Sequence, residues 1–418
     1  MKKAIFCIAG YFLLFLSQTG TSFSQIVYEA PKKKLIDFGH HSPSFLNLKG
    51  HMKDYENGPF DGVSIKLSVA AGKGDVFMTD NWDNVSSEAR DSELKLALSL
   101  KQSTILTDNF VVIFGGSQMD WFSDEDWAKV DAHLRYVAHL AKAAHCVGIL
   151  WDAEPYKPGK NPWRVADQEN ISKYSYEGYY DQVRKRGRQF IQALQEEFPG
   201  IIIFSLRELS DWQNGSPFSG KILPVVDKEN VKSELKDAWW SLHVPFYIGI
   251  LDAIQPDVTF IDGNEEAYYY TSALEYYKVR NTLIDDARAL VPPSLWVKHS
   301  ALYKIGHAIT AEYIAGNWLG LLSSFPYRLT GQGVMMTTVE RAKWFEHNAY
   351  YALRTSDGYA WLYTEGINWW TGEKVPEGFL NALLSAKKKV ASGQALGYEI
   401  DQMIKDAQAK AEVYYKNK

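Results

Sequence analysis

The chain has 418 residues, 46% of them hydrophobic and 23% charged, with a formal net charge of −5. That balance is globular, and its acidic sign argues against nucleic-acid binding, which wants a basic face. Fourteen tryptophans, 25 tyrosines and 20 phenylalanines make aromatic content the unusual total, and such rings serve both as core and as platforms for sugar rings.

The first 24 residues read as a secretory signal peptide. Lys2 and Lys3 form the positive start, AIFCIAGYFLLFLS the apolar stretch and QTGTSFSQ a small polar tract, with cleavage near Ser24. The apolar stretch is too short for a membrane span. Cleavage removes two lysines, moving the formal charge from −5 to −7, and leaves Cys146 as the sole cysteine. No intrachain disulfide is then possible. An exported protein, periplasmic or extracellular, with no membrane span in the mature chain is the expectation.

From residue 25 to 393, short apolar strands alternate with longer helical patterns. The strand candidates are KLIDFG (34–39), DGVSIKL (61–67), FVVIFGG (110–116), CVGILWD (146–152), GIIIFSL (200–206), DVTFID (257–262), SLWVKHS (294–300) and YAWLYTE (359–365). Several are continuous β-branched or aromatic runs, as parallel strands covered on both faces require. Helical spacing fills 123–144, 174–200, 271–290, 338–355 and 378–393, with Ser123 as an N-cap and Pro199–Gly200 as a stop. Eight such units in sequence predict an α/β fold, a single-domain (β/α)8 TIM barrel with loop insertions. The longest insertion, 207–256, carries Trp212, Trp239, Trp240 and His243. Residues 394–418 read as a C-terminal helical tail on the solvated surface.

In a (β/α)8 barrel the chemistry sits where the strands end. The fourth strand runs into WDAEPY, placing Asp152 and Glu154 two residues apart and therefore on the same side. Two close carboxylates raise each other's pKa, so that one stays protonated near neutral pH as a general acid. Glycosidic bond cleavage needs such an acid and a second carboxylate. The structural alternative is that one of the pair caps a helix or holds a loop arginine such as Arg164.

WDAEP resembles the strand-4 ends of barrel glycoside hydrolases. One retaining group carries Asn-Glu-Pro there, with Glu as acid/base; this chain keeps Glu154 and Pro155 but has Ala153 in place of Asn. That group also places a nucleophilic Glu after strand 7, and WVKHS offers none. The chitinase-like group ends strand 4 in Asp-x-Asp-x-Glu; Asp152 and Glu154 match its last two acids, and Leu150 replaces the first. The resemblance implies Glu154 as proton donor with Asp152 as helper, and it names no single family.

The second carboxylate comes from Asp152, Glu265 or Glu365, with Asp262 closing strand 6 just before Glu265. Tyr268, Tyr363 and Trp369 are candidate sugar platforms, and His40, His41 and His299 candidate partners for sugar hydroxyls. Arg207 either bonds hydroxyls or clamps an anionic sugar. The expected function is hydrolysis of glycosidic bonds in a poly- or oligosaccharide, without metal or cofactor. The alternatives are a non-catalytic glycan-binding barrel and a metal-dependent barrel hydrolase, for which the adjacent His40 and His41 are the only hint. The sequence leaves the oligomeric state open.

Overall fold

A computed structural model describes residues 32–68, 74–156, 160–212, 235–316 and 333–416. The expected leader at 1–24 lies outside the described residues. The sheet consists of β1 (Lys34–Gly39), β2 (Gly62–Ile65), β3 (Phe110–Phe114), β4 (Gly148–Asp152), β5 (Ile202–Ser205), β6 (Thr259–Asp262), β7 (Tyr303–Ile305), β8 (His307–Thr310) and β9 (Tyr359–Thr364). Each strand from β1 to β7 pairs in parallel with the next; β8 pairs with β9 and β9 with β1. Only Gly306 separates β7 from β8, so these two are one strand of the barrel and the ring closes with eight positions. A Cβ on Gly306 would press to 3.1 Å from the Phe204 ring, which explains the glycine at the break.

Alternation along β9 fills the interior in layers. Tyr359 meets Phe110 at 5.6 Å and Phe204 at 6.0 Å, and Trp361 sits above them against Phe38 at 5.6 Å. The Trp361 indole donates to the Gly263 carbonyl at 2.8 Å, tying this floor to the exit of β6. Outside the ring, Trp151 of β4 wedges between Phe190 of the helix Tyr176–Glu197 and Phe246 of the helix His243–Ala253. Among the described residues nine tryptophans are fully buried, so much of the aromatic surplus is packing.

Seven of the expected strands stand within two residues of their places. The seventh does not. SLWVKHS forms a 3-10 turn, Pro293–Leu295, and then the helix Trp296–Leu302, with Val297 86% exposed. Pro293 opens that turn, where its fixed φ and missing N–H suit a helix start. The barrel strand is instead YKIGHAIT, whose Lys304, Gly306 and His307 break up the apolar run that marks the other strands. The tail is also more than solvated surface: the helix Asp401–Lys416 buries Ile404, Ala407 and Ala411. Among the described residues, no helix is long and apolar enough to cross a membrane.

Candidate active site

The exits of β3 and β4 lie against each other. A Cβ on Gly116 would stand 1.9 Å from the Glu154 carbonyl oxygen, so Gly115–Gly116 serves this close approach. β4 ends at Asp152, whose carboxylate is buried. One Asp152 oxygen accepts the Glu154 amide at 2.9 Å and the other accepts the Tyr156 hydroxyl. Burial first, and then the Glu154 charge, pushes Asp152 to about 7, against the pull of those two hydrogen bonds. Glu154 itself keeps 30% of its side chain exposed and so reaches the mouth.

Arg207, just past β5, is the buried cation of the site. Its Nε lies 2.7 Å from Glu265 Oε2, its Nη1 3.2 Å from Asp211 Oδ1 and its Nη2 3.8 Å from Glu154 Oε1. Burial pushes Asp211 to about 7 with Arg207 opposing. Burial also pushes Glu265 upward; Arg207 pulls it back, while Glu154 and Asp152 add to the rise. Asn264 directs Glu265 into this cluster by taking the left-handed conformation (φ 45°, ψ 65°) at the start of the 3-10 turn Glu265–Tyr269. Asparagine is among the few residues that adopt it readily. Arg207 is thus engaged by acids of the chain itself, those of Glu154, Asp211 and Glu265 among the described residues.

The other expected site residues divide. Tyr363 stands on top of the β9 layer; its hydroxyl donates to Glu365 Oε1 at 3.3 Å and its ring meets the exposed His40 at 6.3 Å. Tyr268 stacks on Tyr363 at 5.8 Å but is buried, so it supports the mouth and offers no open platform. His41 is half-buried in the turn after β1. Asp262 faces away from the mouth. It lies on the same side of β6 as Phe260, which packs on Tyr247 of the outer helix, and it accepts Ser210 N, Ser210 Oγ, Asn264 N and the Tyr303 hydroxyl. His299 follows the misplaced strand into the helix layer, fully buried with its Nδ1 2.8 Å from the Tyr247 hydroxyl. Trp369 is packed between Phe60 and Phe345, outside the ring. These last three do not line the mouth.

Three residues gain a place that sequence reading did not give them. Tyr156 belongs to the same WDAEPY stretch, and its spacing from Asp152 was the available signal. Asp211 hides in the longest insertion. Glu312, just past β8, follows the true seventh barrel strand. Its Oε1 accepts the amides of Glu365, Gly366 and Ile367 at 2.8, 3.0 and 3.2 Å. Burial raises its pKa, and those amides lower it.

Among the described residues, no group of three His, Cys, Asp or Glu is arranged to hold a metal ion. No family model and no curated protein sequence matches the chain. Similar solved structures include a glucosidase from Croceicoccus marinus, at 9% identity and TM-score 0.38 over 81% of this chain and 62% of that one. The chain thus spans under two thirds of that glucosidase. Others are a β-mannanase from the blue mussel Mytilus edulis (10%, 0.38, 87% of this chain and 94% of that) and a xyloglucanase from Bacteroides ovatus (10%, 0.38, 83% and 68%).

Proposed function

We propose that the protein is an exported glycoside hydrolase whose proton donor is Glu154 and whose second carboxylate is Glu265. The observation that carries this reading is Arg207, which holds both carboxylates at the end of the barrel where the strands finish. Glu265 at 2.7 Å and Glu154 at 3.8 Å meet the same guanidinium, which supports reading them as the two carboxylates that glycosidic cleavage needs.

In this mechanism Glu154 gives its proton to the glycosidic oxygen as the bond from that oxygen to the anomeric carbon breaks. Positive charge then grows on the anomeric carbon and ring oxygen. Glu265 faces it, with Arg207 balancing that carboxylate between turnovers. Water supplies the hydroxyl of the new reducing end and returns a proton to Glu154. Asp152 is too buried to touch the sugar. It lies beneath Glu154, keeps its own proton up to about 7 and so limits the negative charge around the donor.

A second assignment of the partner carboxylate rests on Glu312. It follows the seventh barrel strand, where the Asn-Glu-Pro resemblance implies the nucleophile. Glu265 fits better because it faces Glu154 across Arg207, while one Glu312 oxygen is occupied by three amides of the loop after β9. The test is a panel of neutral, acidic and N-acetylated polysaccharides, with new reducing ends counted for the unsubstituted protein and for Glu154→Gln. Release of reducing ends that collapses in the folded variant supports the reading. Release that survives removes Glu154 from the chemistry, and binding without release points to the non-catalytic barrel.

A further inference from the structure

A cavity of about 470 Å³ opens on the outer wall of the barrel, lined by Tyr277, Tyr350, Tyr351, Arg354, Tyr398 and Glu399 with the loop 393–397. It lies away from the mouth. Helices of a (β/α)8 barrel run back from the strand ends toward the strand starts. Arg354 is in the last turn of the helix Thr338–Thr355, shortly before β9 begins, and the loop follows the end of the helix Phe379–Ala391. We propose that this cavity is a second carbohydrate-binding site, holding one or two neutral pyranose units independently of the chemistry at the mouth.

Three features point to that ligand. The first is the aromatic wall. Tyr277 is 49% exposed and stands at 74° to Tyr351, ring centres 6.0 Å apart. Tyr351 is backed by the buried Tyr276, stacked at 6.1 Å, and by His347 at 4.7 Å. Such half-polar rings match the C–H face of a pyranose and leave its hydroxyl rim to polar groups. The second is the polar rim. Arg354 and Glu399 are both exposed and of opposite sign, so the charged groups of the lining sum to zero and favour no ionised ligand. The third is preorganisation. The Tyr350 hydroxyl donates to the Gln394 carbonyl at 3.1 Å and the Tyr398 hydroxyl to Glu346 Oε2 at 2.8 Å, pinning the loop at both ends. Gly393, just before the first pin, and Gly397, between the two, take left-handed backbone (φ 69° and 92°) with open space where a Cβ would stand. A site already formed loses little in ordering, and its volume is within the about 300–1,000 Å³ of small-molecule sites.

The experiment measures binding of neutral four- to six-unit gluco-, manno- and xylo-oligosaccharides by titration calorimetry. It is run in Glu154→Gln protein, which removes turnover under the proposed mechanism, with and without Tyr277→Ala and Tyr351→Ala. Wall binding is expected to weaken at least tenfold in each alanine variant and to survive in Tyr277→Phe, with unchanged circular dichroism. Tyr277→Ala is expected to leave reducing-end release from short substrates unchanged, which separates failure here from failure of the hydrolase reading. Equal binding in folded Tyr277→Ala and Tyr351→Ala proteins overturns the proposal, as does the absence of binding to every oligosaccharide. A shift of sedimentation from dimer to monomer in Tyr277→Ala, without change in glycan binding, also overturns it and makes a second copy of the chain the occupant.

Discussion

On one side of the barrel mouth, after β4, β5 and β6, the carboxylates of Glu154, Asp211 and Glu265 converge on Arg207. On the other side, after β8 and β9, Glu312 gives one oxygen to three amides of the neighbouring loop. Both sides bury acids, and burial raises the pKa of each buried one. The difference lies in what meets the carboxylate. Backbone amides fix it in place through one oxygen, which suits a loop clamp. A shared guanidinium balances charge while leaving Glu154 open to the mouth, which suits chemistry. A buried acid at a strand end is therefore not by itself a catalytic one.

The comparison can be broken most forcefully at Glu154. Glu154→Gln is expected to lower the rate of reducing-end release by about a thousand-fold while leaving the melting temperature nearly unchanged, as loss of a general acid does. Arg207→Met attacks the same side through stability. It leaves Glu265 and Asp211 buried without their cation, and urea unfolding should show a loss of about 3–5 kcal/mol. On the opposite side, Glu312→Ala strands three amides and should cost about 2 kcal/mol in the same measurement. The folded fraction of that variant should keep activity within tenfold of the unsubstituted protein.

The smallest expected effect is a pH dependence. Burial pushes Asp37, Asp152 and Asp211 each from the ordinary 3.8 to about 7. A carboxyl that holds its proton more tightly folded than unfolded adds stability below about 4, and that stability is lost as pH rises through about 7. These three groups lower the melting temperature as pH rises from 4 to 8, while buried His133, His243, His307 and His347, whose pKa burial lowers, act in the opposite sense over part of that range. Asp152→Asn should remove the Asp152 share of the slope, so that its melting temperature gains on that of the unsubstituted protein as pH rises. In the same variant the alkaline limb of the activity profile near 7 should move, because position 152 no longer gains a negative charge beneath Glu154 as pH rises through about 7. A slope and a limb that are both unchanged in Asp152→Asn would detach Asp152 from the site.

Much of the fold was legible because parallel strands buried on both faces leave plain apolar runs, and seven of the eight were read in place. The seventh was lost to physics of two kinds. Pro292–Pro293 ahead of SLWVKHS marks a helix start, while the real strand carries Lys304, Gly306 and His307 in its middle. That error moved His299 to a strand end it does not occupy and hid Glu312. Asp152 and Glu154 were legible as a pair at the end of an apolar strand, because alternation sets residues two apart on one side. Asp262 and Trp369 misled because sequence does not say which side of a strand or loop faces the mouth. Phe260 on the outer helix layer settles it for Asp262, and Phe345 for Trp369. Arg207, Glu154 and Glu265 were visible as residues; that they meet, together with Asp211, from three strand exits was not.

The most direct test compares initial rates of reducing-end release on one responsive glycan for the unsubstituted protein, Glu154→Gln, Glu265→Gln and Glu312→Gln, each checked for folding. The account predicts that the first two variants fall by about a thousand-fold and that Glu312→Gln stays within tenfold. A Glu312→Gln protein as inactive as Glu154→Gln, beside an active Glu265→Gln, would contradict it and move the second carboxylate to the end of β8.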